Sequence, residues 1–177
     1  MDLILHGGDI TTPEVLDQLN EIAPTIAVCG NNRRDRMFDP PLPKKCLVQI
    51  GDNVQIAMWH GMQTNWHRLT DAILGRSGFL DFVSARMMKR SQAALPETDI
   101  ILFGHLHWPT IHDNGNQLFI NPGRAFSRSD SSCAVMQIAN GIVRIKIHPL
   151  ATQISFELMT KDWHVFDLRG RNTKTIP

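Results

Sequence analysis

The sequence has almost no excess of either charge: 18 Lys and Arg stand against 17 Asp and Glu, for a formal net charge of +1. A blanket electrostatic attraction to nucleic acid or to an anionic membrane surface therefore has no basis in the charge balance. Cysteine is sparse, and Cys29, Cys46 and Cys133 are scattered and odd in number. That argues against a disulfide framework and for a reducing, cytoplasmic setting. No apolar run approaches the roughly 20 residues that a membrane span requires. At the N-terminus, Met-Asp-Leu-Ile-Leu-His meets a Gly-Gly-Asp turn before the apolar stretch of a signal peptide develops. Repeats, low-complexity tracts and linkers are lacking too. With 42% hydrophobic and 20% charged residues among 177, the expectation is one compact domain over residues 1–177 with a substantial core.

Histidine is what the sequence has. Of the eight, His6, His60, His105 and His107 each sit beside glycine or at the end of an apolar run. Neutral imidazole is the commonest metal ligand and the usual acid/base group near pH 7. Four such junctions point to a site.

Along the chain, Leu3-Ile4-Leu5 is a short apolar run ending in His6-Gly7-Gly8-Asp9. Thr11-Thr12-Pro13-Glu14 then supplies a hydroxyl cap, a first-turn proline and an early acid, and Val15, Leu16, Leu19, Ile22 and Ala23 follow at helical spacing. Pro24 ends that helix, and residues 25–29 read as a buried strand running into Gly30-Asn31-Asn32. Residues 33–45 are polar and proline-bearing, a loop. Strands are expected at 47–50 and 54–59 around Gly51-Asp52-Asn53, the second stopping at His60-Gly61. Helical stretches at 66–74 and 80–95 precede a buried strand at 99–103, which ends in Gly104-His105-Leu106-His107. The tail is β-rich, with strands at 117–120, 134–138 and 142–147, the last two joined across Asn140-Gly141, a strong hairpin signal. Strands alternating with helices make an α/β fold.

Four apolar strands thus end in polar, glycine-containing turns. In open α/β sheets, ligand sites form beyond the carboxyl ends of strands, and glycine lets a ligand or another loop come close. Asp, Asn and His are ligands for divalent first-row metals where no thiolate takes part. Asp9 has a carboxylate able to bridge two ions, and Asn31 offers a neutral hard oxygen. His105 and His107 would point to opposite sides of a regular strand, so the local turn must bring both imidazoles inward.

The order Gly-Asp9, Gly-Asn31, His60-Gly, Gly-His105-Leu-His107 and then Asn121-Pro122-Gly123 resembles the calcineurin-like metallophosphoesterases. Within these it is most similar to the small bacterial and archaeal phosphodiesterases related to the Vps29-type retromer subunit, over residues 2–148. The resemblance implies an αββα sandwich: two packed, mostly mixed sheets flanked by helices. It also implies a site holding two divalent ions, often manganese, which activate a water as hydroxide against a phosphate ester. Carried over residue by residue, one ion receives Asp9 as bridge with Asn31, His60 and His105; the other keeps Asp9 and His107. Family members open with a strand ending in Asp-x-His, which binds that other ion, and a helix. No Asp-x-His occurs here. The resemblance therefore places a strand and helix of about 25–35 residues ahead of Met1, through a late start, and leaves one ion well held and the second poorly. The rival is a relative that has lost catalysis and serves as a protein-binding scaffold.

Departures from the pattern add candidates. Arg33 stands where the family has an acid, with Asp35 two residues late, and Arg124 stands where Ser is common. Both arginines are candidate phosphate contacts; Arg124 and Arg128 serve equally well as solvated loop residues. Trp59 and Trp108 flank candidate ligands and are expected to pack rather than stack on a nucleobase. His6 is expected to orient its loop without binding metal. His67, His112, His148 and His164 are expected at the surface, and Cys29 as a small buried hydrophobe. Residues 151–177 lie outside the resemblance, as an extension apolar enough to pack. The leading expectation is a metal-dependent phosphoesterase acting on phosphodiesters, with a phosphate-ester substrate and no membrane or nucleic-acid partner.

Overall fold

The computed structural model describes residues 1–32, 34, 37–61, 80–126, 130–150 and 162–169. The helix expected at 66–74, and Arg33, Asp35, His67 and Arg128, lie outside the described residues. In chain order the elements are β1 (Ile4–His6), α1 (Pro13–Ile22), β2 (Thr25–Ala27), β3 (Lys45–Ile50), β4 (Val54–Trp59), α2 (Leu80–Ala94), β5 (Ile100–Phe103), β6 (Thr110–Asp113), β7 (Leu118–Asn121), β8 (Ser132–Ala139), β9 (Ile142–Pro149) and β10 (His164–Asp167).

A five-stranded mixed sheet runs in the order β3-β4-β5-β7-β6. Its central strands β4, β5 and β7 are parallel, and the edge strands β3 and β6 are antiparallel to their neighbours. Buried on both faces, β5 and β7 are continuously apolar up to Asn121, as central parallel strands must be. The facing layer consists, among the described residues, of two separately bonded units: β1 parallel to β2, and the antiparallel β10-β9-β8.

The apolar pattern divides cleanly between layers. Val54, Ile56 and Met58 of β4 face a core shared with Leu5, Val28, Val143 and Ile145. The alternate residue Trp59 joins Ile101, Phe103 and Phe119 against Met87 and Met88 of α2. On the outer side of β2, Ala27 packs with Ile10 and Phe38 beneath Val15 and Leu16 of α1. The result is helix, sheet layer, sheet, helix, as expected for αββα, and each fully buried aliphatic side chain contributes about 1.5–3 kcal/mol. Of the helical face expected for α1, Ile22 stays exposed.

Three elements differ from expectation. β6 has one strongly apolar residue, Ile111, because it is a half-exposed edge strand paired to β7. β10, within the unassigned tail, adds a third strand to the β8–β9 hairpin, with Phe166 turned to the core. The strand expected through Cys29 stops at Ala27, since the Cys29 N–H bonds to the Pro43 carbonyl in the loop.

Candidate metal centre

The carboxyl ends of β1, β2, β4 and β5 bring Asp9, Asn31, His60 and the Gly104–His107 turn to one place, across the two sheet layers. Small residues make the approach possible. A Cβ on Gly30 would overlap Asp9 Oδ1, and one on Gly104 would lie 2.6 Å from the Gly7 carbonyl oxygen and 2.9 Å from His60 Nδ1. Among the described residues, three of the four non-glycine residues with positive φ are Asp9 (60°), His105 (72°) and His107 (59°). Left-handed backbone at such residues is disfavoured and concentrates at functional sites.

That conformation turns Asp9 toward β2. Its Oδ1 accepts the backbone N–H groups of Asn31 (2.7 Å) and Asn32 (2.8 Å), leaving Oδ2 facing His60 Nε2 at 3.4 Å. Burial pushes the carboxyl pKa up, but hydrogen bonding and charge from His60, with the two backbone donors, outweigh it and hold the pKa at about 2.

His60 is buried, with Nδ1 2.8 Å from the Gly7 carbonyl oxygen. A carbonyl only accepts, so Nδ1 carries a hydrogen, and Nε2 faces the site either with a second hydrogen toward Asp9 or, where a cation takes that hydrogen's place, with its lone pair. Nε2 lies 2.9 Å from Asn31 Oδ1. With the lone pair exposed, Asp9 Oδ2, Asn31 Oδ1 and His60 Nε2 are three acceptors with no hydrogen among them. Their separations of 2.9 and 3.4 Å match the edges of a coordination shell with bonds of about 2.0–2.2 Å. Turned over, the Asn31 amide would instead donate to His60 Nε2 at 2.9 Å and to the Asp9 oxygens at 3.0 and 2.9 Å. The donor set therefore fits a divalent cation with the amide oxygen inward, and holds itself together with the nitrogen inward.

The remaining candidates stand around this group. The His105 ring is edge-on to His60, with centroids 5.3 Å apart. His107 is exposed, and desolvation of its inner side, then the charge of Arg124, lower its pKa. Among the described residues no three His, Cys, Asp or Glu side chains form a metal-holding group, so Asn31 is needed to complete the Asp9–His60 pair. His6 takes its expected part in the loop: its Nδ1 accepts the Gly8 N–H at 3.2 Å, and burial, then His60, lower its pKa.

Asn121 is a positioning group that sequence reading saw only as part of a turn motif. It is fully buried, donates to the Gly104 carbonyl at 3.3 Å and accepts the Gly123 N–H at 2.9 Å, tying the β5 and β7 turns together. Arg124, a candidate for phosphate, is engaged by Asp130: Nε donates to Oδ1 at 3.1 Å and a terminal nitrogen bonds Oδ2. Trp59 packs as expected, its Nε1–H donating to Ser91 of α2 at 3.0 Å. Trp108 is 40% exposed. His148, expected at the surface, is half-buried with Nε2 enclosed and without a partner among the described residues.

Residues 1–141 match the calcineurin-like phosphoesterase superfamily domain. A probable metallophosphoesterase of Methanocaldococcus jannaschii is 32% identical over 123 residues, covering 70% of this chain and 53% of that protein. Another, from Methanothermobacter thermautotrophicus, is 28% identical, covering 70% and 60%. The chain thus spans a little over half the length of the curated relatives it matches. The fold is similar to vacuolar protein sorting 29 of Cryptosporidium parvum, with a TM-score of 0.61 and 20% identity over 94% of this chain and 80% of that one. It is also similar to Vps29 of Entamoeba histolytica in complex with zinc, with a TM-score of 0.60 and 18% identity over 94% and 81%. Among the described residues no helix is long and apolar enough to cross a membrane. With its family pattern, its sandwich of sheets and its cluster at the strand ends, the chain belongs to the calcineurin-like phosphoesterase superfamily.

Proposed function

We propose that this chain is a metal-dependent phosphoesterase acting on phosphodiesters, with Asp9, Asn31, His60 and His105 around one divalent ion and His107 at a second, weaker position. The observation that carries this reading is the convergence of Asp9 Oδ2, Asn31 Oδ1 and His60 Nε2 at the ends of strands from both layers. Oxygen and imidazole donors without thiolate suit manganese and other first-row divalent ions. A relative of the same fold is described in complex with zinc. Such an ion supplies Lewis acidity toward a phosphoryl oxygen and a hydroxide nucleophile near neutral pH.

The chain's own residues prepare that chemistry. Asp9, with its pKa at about 2, is a carboxylate throughout the physiological range. The Gly7 carbonyl fixes the tautomer and ring plane of His60, a restraint that raises ligand basicity. Asn31 turns its oxygen inward to an ion at no cost in charge. Arg124 reaches substrate by exchanging Asp130 for a phosphate, since a guanidinium grips either oxyanion through two donors. Arg33, two residues beyond Asn31, is a second candidate for that contact. The same reading takes residues 1–177 as one domain and the location as cytoplasmic, the setting that a few scattered cysteines, odd in number, suit.

A second reading, a catalytically impaired relative acting as a protein-binding scaffold, draws on the second position, where only Asp9 and His107 remain. The deciding experiment strips the protein of metal, titrates Mn2+ and Zn2+ by calorimetry, and assays bis(p-nitrophenyl) phosphate. Metal-dependent release of p-nitrophenol, lost in Asp9→Asn and His60→Ala, is expected. Metal binding with no turnover of diesters or monoesters would leave the scaffold.

A further inference from the structure

We infer that two copies of this chain associate through the outer side of the facing layer, the acidic face of α1 in each lying on the outward face of β8, β9 and β10 in the other. This goes beyond the phosphoesterase reading and does not depend on it. Both surfaces look away from the shared core. Ala27 packs with Val15 and Leu16 of α1 on the outer side of β2, while Ile26 of the same strand turns inward. Ala134, Met136, Ile138, Val143, Ile145 and Phe166 also turn inward, so the residues that alternate with them turn outward. The strand register then sets Gln137, Arg144 and Val165 side by side on β8, β9 and β10, with Val135 beside Lys146 two residues along.

The two surfaces are opposite in charge. α1 carries Glu14, Asp17 and Glu21, all exposed and at spacings of three and four, and no basic residue; Ile22, 64% exposed, flanks them. On the sheet Arg144 is exposed, and Val135 and Val165 are 40% and 59% exposed. Asp167, the acid of these three strands, is held by Arg169. Asp17, Glu21 and Arg144 have no ion-pair partner among the described residues. Unlike charges with apolar neighbours supply attraction and a fixed orientation together. Symmetry then limits the assembly to two. Helix and sheet face lie on the same side of one molecule, so a two-fold rotation about an axis in the contact plane seats each helix on the other copy's sheet. With 10 residues α1 is about 15 Å long, which fits within the ~26 Å of the eight-residue strands β8 and β9.

Sedimentation velocity of the full chain in low salt, at about 100 µM to capture a weak interface, reads the result. The native chain is expected to sediment as a dimer and to dissociate in about 1 M salt, where the screening length is about 3 Å. Lys146 has an interaction of its own, so Arg144 carries the test. Arg144→Glu and Glu21→Lys should each weaken the dimer by about tenfold or more, because each reversal falls twice in the symmetric contact. An equimolar mixture of the two variants should sediment as a dimer again, since both contacts of the mixed pair bring unlike charges together at these positions. A native monomer at that concentration, a dimer indifferent to salt and to both reversals, or a mixture that stays monomeric overturns the inference, whatever the chain does to phosphodiesters.

Discussion

Asp9 and His60 follow strands of different sheet layers, yet Asp9 Oδ2 and His60 Nε2 stand 3.4 Å apart. Backbone groups also hold each of them there. Asp9 is fixed by backbone N–H groups of Asn31 and Asn32, and His60 by the carbonyl of Gly7. Each ligand is thus restrained by the loop that carries its neighbour. Disturbing one loop therefore disturbs the whole cluster.

The acid limb of stability should report on Asp9. Its folded pKa of about 2 lies below the ordinary 3.8, so the stabilisation it gives is fully present above about pH 4 and is lost as pH falls through 2. Metal-free native protein should lose about 1–2 kcal/mol over that window relative to Asp9→Asn, allowing for partial exposure. Urea denaturation of both proteins at a series of pH values measures the difference, and parallel curves would contradict it.

Gly30→Ala should damage stability and metal binding together. Its Cβ would overlap Asp9 Oδ1 and the Asp9 backbone nitrogen, so the β1 turn must move. A loss of about 2–3 kcal/mol is expected, with at least a tenfold loss of metal affinity. Gly51→Ala is the contrast: it sits in the β3–β4 turn with positive φ and open space, so it should cost about 1 kcal/mol and leave metal affinity alone.

Asn121→Ala removes the donor to Gly104 and the acceptor for Gly123. The half-buried Gly123 N–H loses its partner while the Gly104 carbonyl keeps the Leu106 N–H, so the cost is about 1–3 kcal/mol. The turn bearing His105 should loosen, and metal affinity should fall about 10- to 100-fold. Asn121→Asp keeps the acceptor and should recover part of both, as calorimetry and thermal unfolding would show.

Trp59→Phe should act on the fold alone. It leaves Ser91 Oγ, buried under α2, without its donor, for a loss of about 1–3 kcal/mol. Metal stoichiometry should not change, and a changed stoichiometry would mean that Trp59 supports His60 directly.

What was legible in the sequence and what was not follow from the physics of each position. Apolar runs that stop at Asp9, Asn31, His60 and His105 could be read because a buried strand must end where polar groups begin. Trp59 could be assigned to packing, and its alternation with Met58 puts the two on opposite faces of β4. β6 went unread because an edge strand with one strongly apolar residue leaves no periodic trace. Left-handed backbone at Asp9, His105 and His107 was hidden too, since only glycine advertises positive φ. Arg124 looked available for phosphate because its partner, Asp130, is reached only once the chain turns back through Ser131. The tie between His60 and Gly7 runs through a backbone carbonyl, which no residue type announces.

The central claim is that Asp9, Asn31 and His60 hold a divalent ion, and counting that ion tests it most directly. The protein is loaded with Mn2+, passed through a desalting column and analysed for metal per chain, beside Asp9→Asn and Asn31→Ala. The account predicts one retained ion in the native chain and almost none in either variant. A native chain that retains no ion, or variants that retain as much as the native chain, would contradict it.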